Sequence, residues 1–445
     1  MLPCLLPAGA DALPIHVVSP GGWESLPGAG FAKASGFAAK PGEIALLPGG
    51  GGISGALFGK PKAAEGYGAL PFGLPEGTNW KLESGDAAEA VLGWCLGAYR
   101  YTRFKPGRRA PARLAAPAGT EAALAEAAAI WRARDLINAP ANHLGPAELA
   151  AAVGEVASLH GARFRVIEGA ELAQGFPAVH AVGHGSPRAP RVAVLEWGEA
   201  DAPLVALCGK GVCFDTGGLD LKPPSSMLRM KKDMGGAAAM LAVAEALMAL
   251  RAPLRILLLV GAVENSVSGE AFRPLDVIRT RKGLTVEVGN TDAEGRLVLS
   301  DLLTHAGEHA PRLMLDGSTL TGAARVALGP ELPALFSNDD EWAAALIEGG
   351  LAVGEPMWRL PLHEGYASWL DSRIADLNNV ATKPMAGAIV AALFLRRFVP
   401  DNVPWAHLDL YAWNDSSRPG RPEGGEATGM RAAVSAIRSY LGIAF

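Results

Sequence analysis

The sequence predicts an α/β protein in two parts: a smaller N-terminal α/β domain and a larger C-terminal domain built on a mainly parallel, helix-covered sheet. Three observations carry this. At 445 residues the chain is longer than one ordinary core accommodates. Hydrophobic residues make up 49% and charged residues only 19%, which suits a compact, largely buried protein rather than a disordered one. Beyond residue 120, short apolar runs alternate with helix-length segments, the pattern of parallel strands covered on both faces.

Residues 1–117 form the N-terminal domain, where apolar runs at 44–47 and 90–96 are separated by glycine-rich loops. The stretch 49–60 tempts a phosphate-loop reading. Ser54, however, stands where the first glycine of GxxxxGK belongs and Pro61 replaces the hydroxyl residue, so a glycine-rich connection is expected. A Pro/Ala linker at 111–119 precedes the boundary. Ala122, Leu124, Ala127, Ile130, Trp131, Ala133 and Leu136 then recur at helical spacing until Asn138-Ala139-Pro140 stops them, giving a linker helix over 118–137.

Residues 138–445 form the larger domain. A helix at 146–159 is followed by strands at 163–167, 192–197 and 204–208, then an alanine-rich helix at 234–250. Strands at 255–263 and 285–288, a helix at 295–306 and a strand at 313–316 complete the assignment. In such sheets ligands bind at the carboxyl ends of the strands.

A net charge of −5 gives no reason to expect nucleic acid or an acidic membrane as the main partner. Cys4, Cys95, Cys208 and Cys213 lack CxxC spacing and read as buried free thiols of a reducing compartment. No apolar stretch reaches about 18 residues, and the first residues lack a basic segment and are broken by Pro3. A cytoplasmic protein without a membrane partner is expected.

The charges with chemistry cluster at loop positions. Lys210 follows the strand 204–208, and Asp215 lies in a glycine-rich turn five residues on. Asp233 precedes the alanine-rich helix at its N-cap position, and Asp292 and Glu294 follow the strand 285–288, all expected at one edge of the sheet. Four carboxylates in one pocket would raise each other's pKa. Divalent cations solve that problem, oxygen ligands suit zinc, manganese or magnesium, and the set is large enough for two metals that together activate a water. Lys210 could ligate only as the neutral amine. Each charge also has an ordinary explanation: Asp233 as a helix cap, Arg296 as a partner of Glu294 or Asp292, Lys222 as a surface lysine, Asp215 as a cap of its own loop. The joint pattern outweighs them.

The run Asn290-Thr291-Asp292-Ala293-Glu294-Gly295-Arg296-Leu297 resembles the signature of the leucyl (cytosol) aminopeptidase family. The resemblance extends to the segments 209–218, 230–238, 263–265, 318–323, 386–389 and 407–409, and so covers about residues 130–445. It implies a catalytic domain holding two divalent metal ions per subunit, zinc or manganese. One would be held by Lys210, Asp215, Asp233 and Glu294; the other by Asp215, Asp292 and Glu294. It further implies a metal-bridged hydroxide attacking the first peptide carbonyl, Lys222 stabilising the oxyanion, and Arg296 holding a bicarbonate that relays protons. Met230, Thr319, Leu320, Gly322 and Ala386 would receive an apolar, leucine-like first side chain. Peptides would be the substrates and a homohexamer, a dimer of trimers, the assembly. The alternatives are a DNA-binding or regulatory protein of the same fold and a catalytically inactive relative. The chain departs from the family pattern at Tyr411-Ala412-Trp413-Asn414, and the stretch 416–426 reads as an added or altered loop.

Overall fold

A computed structural model of the chain describes residues 2–443. It divides into two compact units: residues up to Trp131 together with Asn414–Gly424, and Arg132–Trp413 together with the residues from Gly425 on.

The first unit carries a six-stranded sheet in the order Leu5–Leu6, Arg113–Ala115, Asn79–Leu82, Leu13–Val18, Gly52–Gly59, Ile44–Gly49. Only the last pair is antiparallel. Two expectations are corrected here. The glycine-rich stretch 49–60 is not a mere connection, because Ala56, Leu57 and Phe58 are fully buried and hold Gly52–Gly59 as a strand. The Pro/Ala linker contributes the strand Arg113–Ala115, whose backbone pairs with strands on both sides. The helix Ala87–Ala98 starts where the Asp86 carboxylate accepts the Glu89 N–H at 2.9 Å, and Cys95 on it lies 3.9 Å, sulfur to sulfur, from Cys4.

The second unit is built on an eight-stranded sheet. Its strands, labelled within this unit, are β1 (Arg163–Ile167), β2 (Arg191–Trp197), β3 (Leu204–Asp215), β4 (Arg255–Asn265), β5 (Leu313–Ser318), β6 (Ala334–Ser337), β7 (Trp358–Arg359) and β8 (Trp405–Asp409). They lie in the order β7-β6-β8-β5-β3-β4-β2-β1. The central four, β8-β5-β3-β4, are mutually parallel, and antiparallel pairings enter only toward the edges. The central strands read as unbroken apolar runs because helices cover both sides. A Cβ on Gly209 would strike Ala237 of α2 (Gly235–Ala249), and one on Gly211 would touch Leu149 of α1 (Pro146–His160). A Cβ on Gly261 would instead meet Val298 of α3 (Gly295–Glu308). Gly261 is paired with Lys210 in register, so α3 covers the face that carries the Lys210 side chain.

Two sequence expectations shift. β3 does not end at residue 208; it runs to Asp215, so Lys210 sits within the strand and Asp215 at its end. The register of β3 against β4 slips between Val263 and Glu264, leaving one extra residue on β3 just before Asp215, a bulge of the kind that re-aims side chains at sites. The predicted strand 285–288 forms as Thr285–Glu287, but in a separate three-stranded sheet with Val277–Arg279 and Leu377–Asn378. Beyond residue 316, where the sequence reading made no assignments, come the helices α4 (Gly322–Leu328), Asp340–Val353, Gly387–Arg396 and Met430–Tyr440. All four cysteines are buried and free. Among the described residues no helix is long and apolar enough to cross a membrane.

Candidate metal centre

The carboxyl ends of β3, β5 and β8 open into a cavity of about 760 Å³. Lys210, Asp215, Lys222, Asp233, Asp292, Glu294 and Arg296 all line it. Residues dispersed over some ninety positions of sequence therefore converge as expected.

The Lys210 ammonium is buried and stands 2.8 Å from both Asp233 Oδ2 and Glu294 Oε1. It also donates to the Thr319 carbonyl at 3.1 Å. Its passage depends on Gly295, since a Cβ there would fall 2.6–2.8 Å from the Lys210 side chain. Lys222 is not a surface lysine: its side chain is 13% exposed and pairs with Asp215 Oδ2 at 2.9 Å and with Asp292 Oδ1. Asp215 is fixed from its other oxygen, which accepts Gly217 N–H at 2.8 Å and Asn265 Nδ2 at 2.9 Å. The turn beyond it is closed by Thr291, whose hydroxyl donates to the Gly217 carbonyl at 2.6 Å. Gly218 has φ +65° and no room for a side chain between Asn265 and Thr291.

Asp233 does not cap the alanine-rich helix. Met234 holds the N-cap position of α2, and the Asp233 carboxylate turns into the cavity, where its Oδ1 accepts the Thr319 hydroxyl at 2.7 Å. Glu294 occupies the N-cap position of α3 yet makes no capping bond. Arg296 pairs with neither Glu294 nor Asp292; it is buried, donates from Nη1 to the Asn379 carbonyl at 2.6 Å, and its Nε has no hydrogen-bond partner.

The set is overcharged. Four carboxylates face two ammoniums at ion-pair distance, leaving two negative charges over. The titration tendencies record this. Burial, with the charges of Asp215 and Asp233 added, pushes Glu294 up to about 8 against the pull of Lys210. Burial and Asp215 push Asp292 to about 6, and burial raises Asp233. Burial alone would lower Lys210 and Lys222, but the surrounding carboxylates outweigh it and raise both. Burial lowers Arg296 to about 10. Although Asp233 Oδ2, Asp292 Oδ1 and Glu294 Oε1 lie within reach of the ammoniums, none of the three receives a hydrogen bond of adequate geometry. Asp215, Asp292 and Glu294 each offer one oxygen, all within 4.8 Å of one another. Buried oxygens left in excess and grouped at that spacing fit hard divalent cations.

Of the residues expected around the first side chain, Met230, Thr319, Leu320 and Gly322 line the cavity. Ala386 does not; Gly387 lines it in its place, with Ala386 at φ +55° ahead of the next helix. The Thr319 hydroxyl is engaged with Asp233. Sequence reasoning gave no role to three supporting residues. Asn265 bridges Asp215 and the Thr291 carbonyl; Asn379 accepts from Gly289 and Asn290 N–H and donates to the carbonyls of Asn290 and Ala293; Asp409 accepts from Leu320 and Thr321. Asn265 and Asp409 lie at the ends of apolar strands, a signal that could have found them. Asn379 has no local signal at all.

A family model described as "Cytosol aminopeptidase family, catalytic domain" matches residues 131–434, and that of an aminopeptidase N-terminal domain matches residues 25–117. A probable cytosol aminopeptidase of Roseiflexus castenholzii is 44% identical over 375 residues, 80% of this chain and 76% of that protein. The crystal structure of cytosol aminopeptidase from Coxiella burnetii superposes with a TM-score of 0.92 at 42% identity, covering 98% of this chain and 99% of that one. The bottromycin maturation enzyme BotP in complex with Mn superposes with a TM-score of 0.89 at 34% identity, covering 97% of this chain and all of that one.

Proposed function

This chain belongs to the cytosol aminopeptidase family, whose members are metal-dependent aminopeptidases, and from that premise we propose that it removes a leucine-like N-terminal residue from peptides with two divalent cations. The observation that carries the proposal is the trio Asp215, Asp292 and Glu294, which bring oxygens within 4.8 Å of one another, with Asp292 Oδ1 and Glu294 Oε1 receiving no hydrogen bond. One cation would be held by Lys210, Asp215, Asp233 and Glu294, the other by Asp215, Asp292 and Glu294, with Lys210 as a neutral amine. Zinc and manganese both suit the donors, and BotP is described with Mn. Bound there, the pair supplies Lewis acidity and lowers the pKa of a water.

The protein's own groups do the rest. Lys222, set beside Asp215 and Asp292 at the cavity wall, is a positioned cation for the oxyanion that forms at the first peptide carbonyl. Arg296 lines the cavity, and its planar fork suits a bicarbonate that would shuttle protons. Met230, Leu320 and Gly322 give an apolar, adaptable wall for the first side chain. The same reading includes a cytoplasmic homohexamer, a dimer of trimers, which sedimentation would measure. It also includes an N-terminal domain over 1–117, a linker helix over 118–137 and a catalytic domain over 138–445.

The test is to strip the enzyme with chelator and assay aminoacyl amides after adding back zinc, manganese or cobalt. Activity on leucine amide should return with metal and be absent in Asp292→Asn. A variant as fast as its parent would sink the site assignment.

A further inference from the structure

The cavity carries cations that this reading leaves without a task. Lys232 ends the short turn Met230–Lys232, lines the cavity, and is 4% exposed. Among the described residues its side chain makes no hydrogen bond and no ion pair; what it meets is the ring of Tyr411, with Nζ 4.5 Å from the centroid. Arg325, one turn past Gly322 on α4, also lines the cavity, and its Cζ lies 5.3 Å from the centroid of the same ring. The Tyr411 hydroxyl accepts a hydrogen bond from Arg229 Nη1 at 3.2 Å.

Burial of the Lys232 ammonium is costly; the Asp233 and Asp409 carboxylates act on it without forming an ion pair, and the tyrosine face offsets only part of that cost. Placing a guanidinium beside it adds repulsion. A buried ammonium and an exposed guanidinium around one ring, at a cavity wall, form a site complementary to negative charge. Peptides, unmodified, supply that charge as carboxylate. The two cations come from the elements that bear Met230 and Gly322, so an anion bound between them stands next to the first side chain.

We propose that Lys232 and Arg325, arranged around Tyr411, form a carboxylate-binding subsite of the catalytic cavity, so that the substrates include peptides bringing an anionic group to this wall. The inference rests on the aminopeptidase reading. The carboxylate is either the side chain of an N-terminal aspartate or glutamate, or the free α-carboxylate of a short peptide.

The experiment measures kcat/KM of the metal-loaded, full-length enzyme for two matched pairs: glutamate α-amide against glutamine α-amide, and Leu-Gly against Leu-Gly amide. The parent is compared with Lys232→Met, Arg325→Met and Arg325→Glu. Each charge removal should lower the anionic-to-neutral ratio of one pair about tenfold, as loss of a charge-assisted contact does. Arg325→Glu should lower it further and raise the relative rate on lysine amide, which a purely structural role would not do. A fall in the first pair assigns the side-chain carboxylate, a fall in the second the α-carboxylate. Should Lys232→Met not fold, the two variants at exposed Arg325 decide alone. Ratios within about twofold of the parent's in both pairs, with leucine amide still cleaved, overturn the subsite and leave the peptidase standing. No hydrolysis of any amide by the metal-loaded parent overturns both.

Discussion

Two of the places where the second unit buries opposite charges are built differently. At Arg134 and Glu426 a guanidinium meets a carboxylate through two hydrogen bonds of 3.1 and 3.0 Å, and the Ala427 N–H also donates to Glu426. There the charges cancel. In the cavity, Asp215, Asp233, Asp292 and Glu294 outnumber Lys210 and Lys222, and oxygens remain without hydrogen bonds. A charge set that closes on itself supports the fold, and one that does not close is shaped for a ligand. The first should fail by unfolding, the second by losing activity.

The largest effect expected is on turnover. Glu294→Gln should lower leucine amide hydrolysis about 10³-fold, comparable to losing a principal electrostatic stabiliser, while raising the melting temperature of the chelated protein above about pH 8, where the carboxylate would otherwise ionise among like charges. A lower melting temperature would place Glu294 with the structural charges. Arg134→Met should do the reverse. Removing the guanidinium that faces buried Glu426 costs about 3–5 kcal/mol in urea unfolding, with metal affinity unaltered. Smaller again is Thr319→Val, which removes the hydroxyl that holds Asp233. Metal affinity in a competition titration should fall about tenfold, the usual result of losing a group that orients a ligand.

The smallest effect is on pH dependence, and its sign follows from the raised carboxylates. In chelated protein Glu294 moves from 4.5 up to about 8 and Asp292 from 3.8 to about 6, chiefly through burial. The folded state then holds protons that the unfolded chain gives up, so their stabilising effect is complete below the unfolded values and lost as pH rises through about 6 and about 8. The melting temperature of chelated protein should drop between about pH 5 and about pH 8, and added metal should flatten that drop. A flat profile in chelator would mean the cage is not overcharged.

How far the sequence carried these conclusions depended on distance along the chain. The strands and helices assigned between residues 120 and 316 declare themselves by local periodicity, and the cage residues by being charged in apolar, glycine-rich surroundings. Their partners were legible only where they lie close by. Asp233 looked like a cap because it precedes a helix, yet the hydroxyl that turns it inward is Thr319, 86 residues away. Arg296 looked like a partner for its neighbours, yet it is held by a carbonyl 83 residues on. β3 seemed to stop at residue 208 because Gly209, Lys210 and Gly211 read as a loop, whereas those glycines are what let α1 and α2 pack against a strand that continues. Strand 285–288 was detected, but nothing within it says which sheet it joins.

The four thiols give the molecule an internal clock. Cys4 and Cys95 lie together within the first unit, while Cys208 and Cys213 lie on the strand that carries Lys210 and Asp215, and all are closed to solvent. Burial, first among the causes, keeps the latter two well above the ordinary thiol range, so they react only when the strand is laid open. Timed alkylation read by mass spectrometry would therefore date the opening of each unit separately, without any label being introduced.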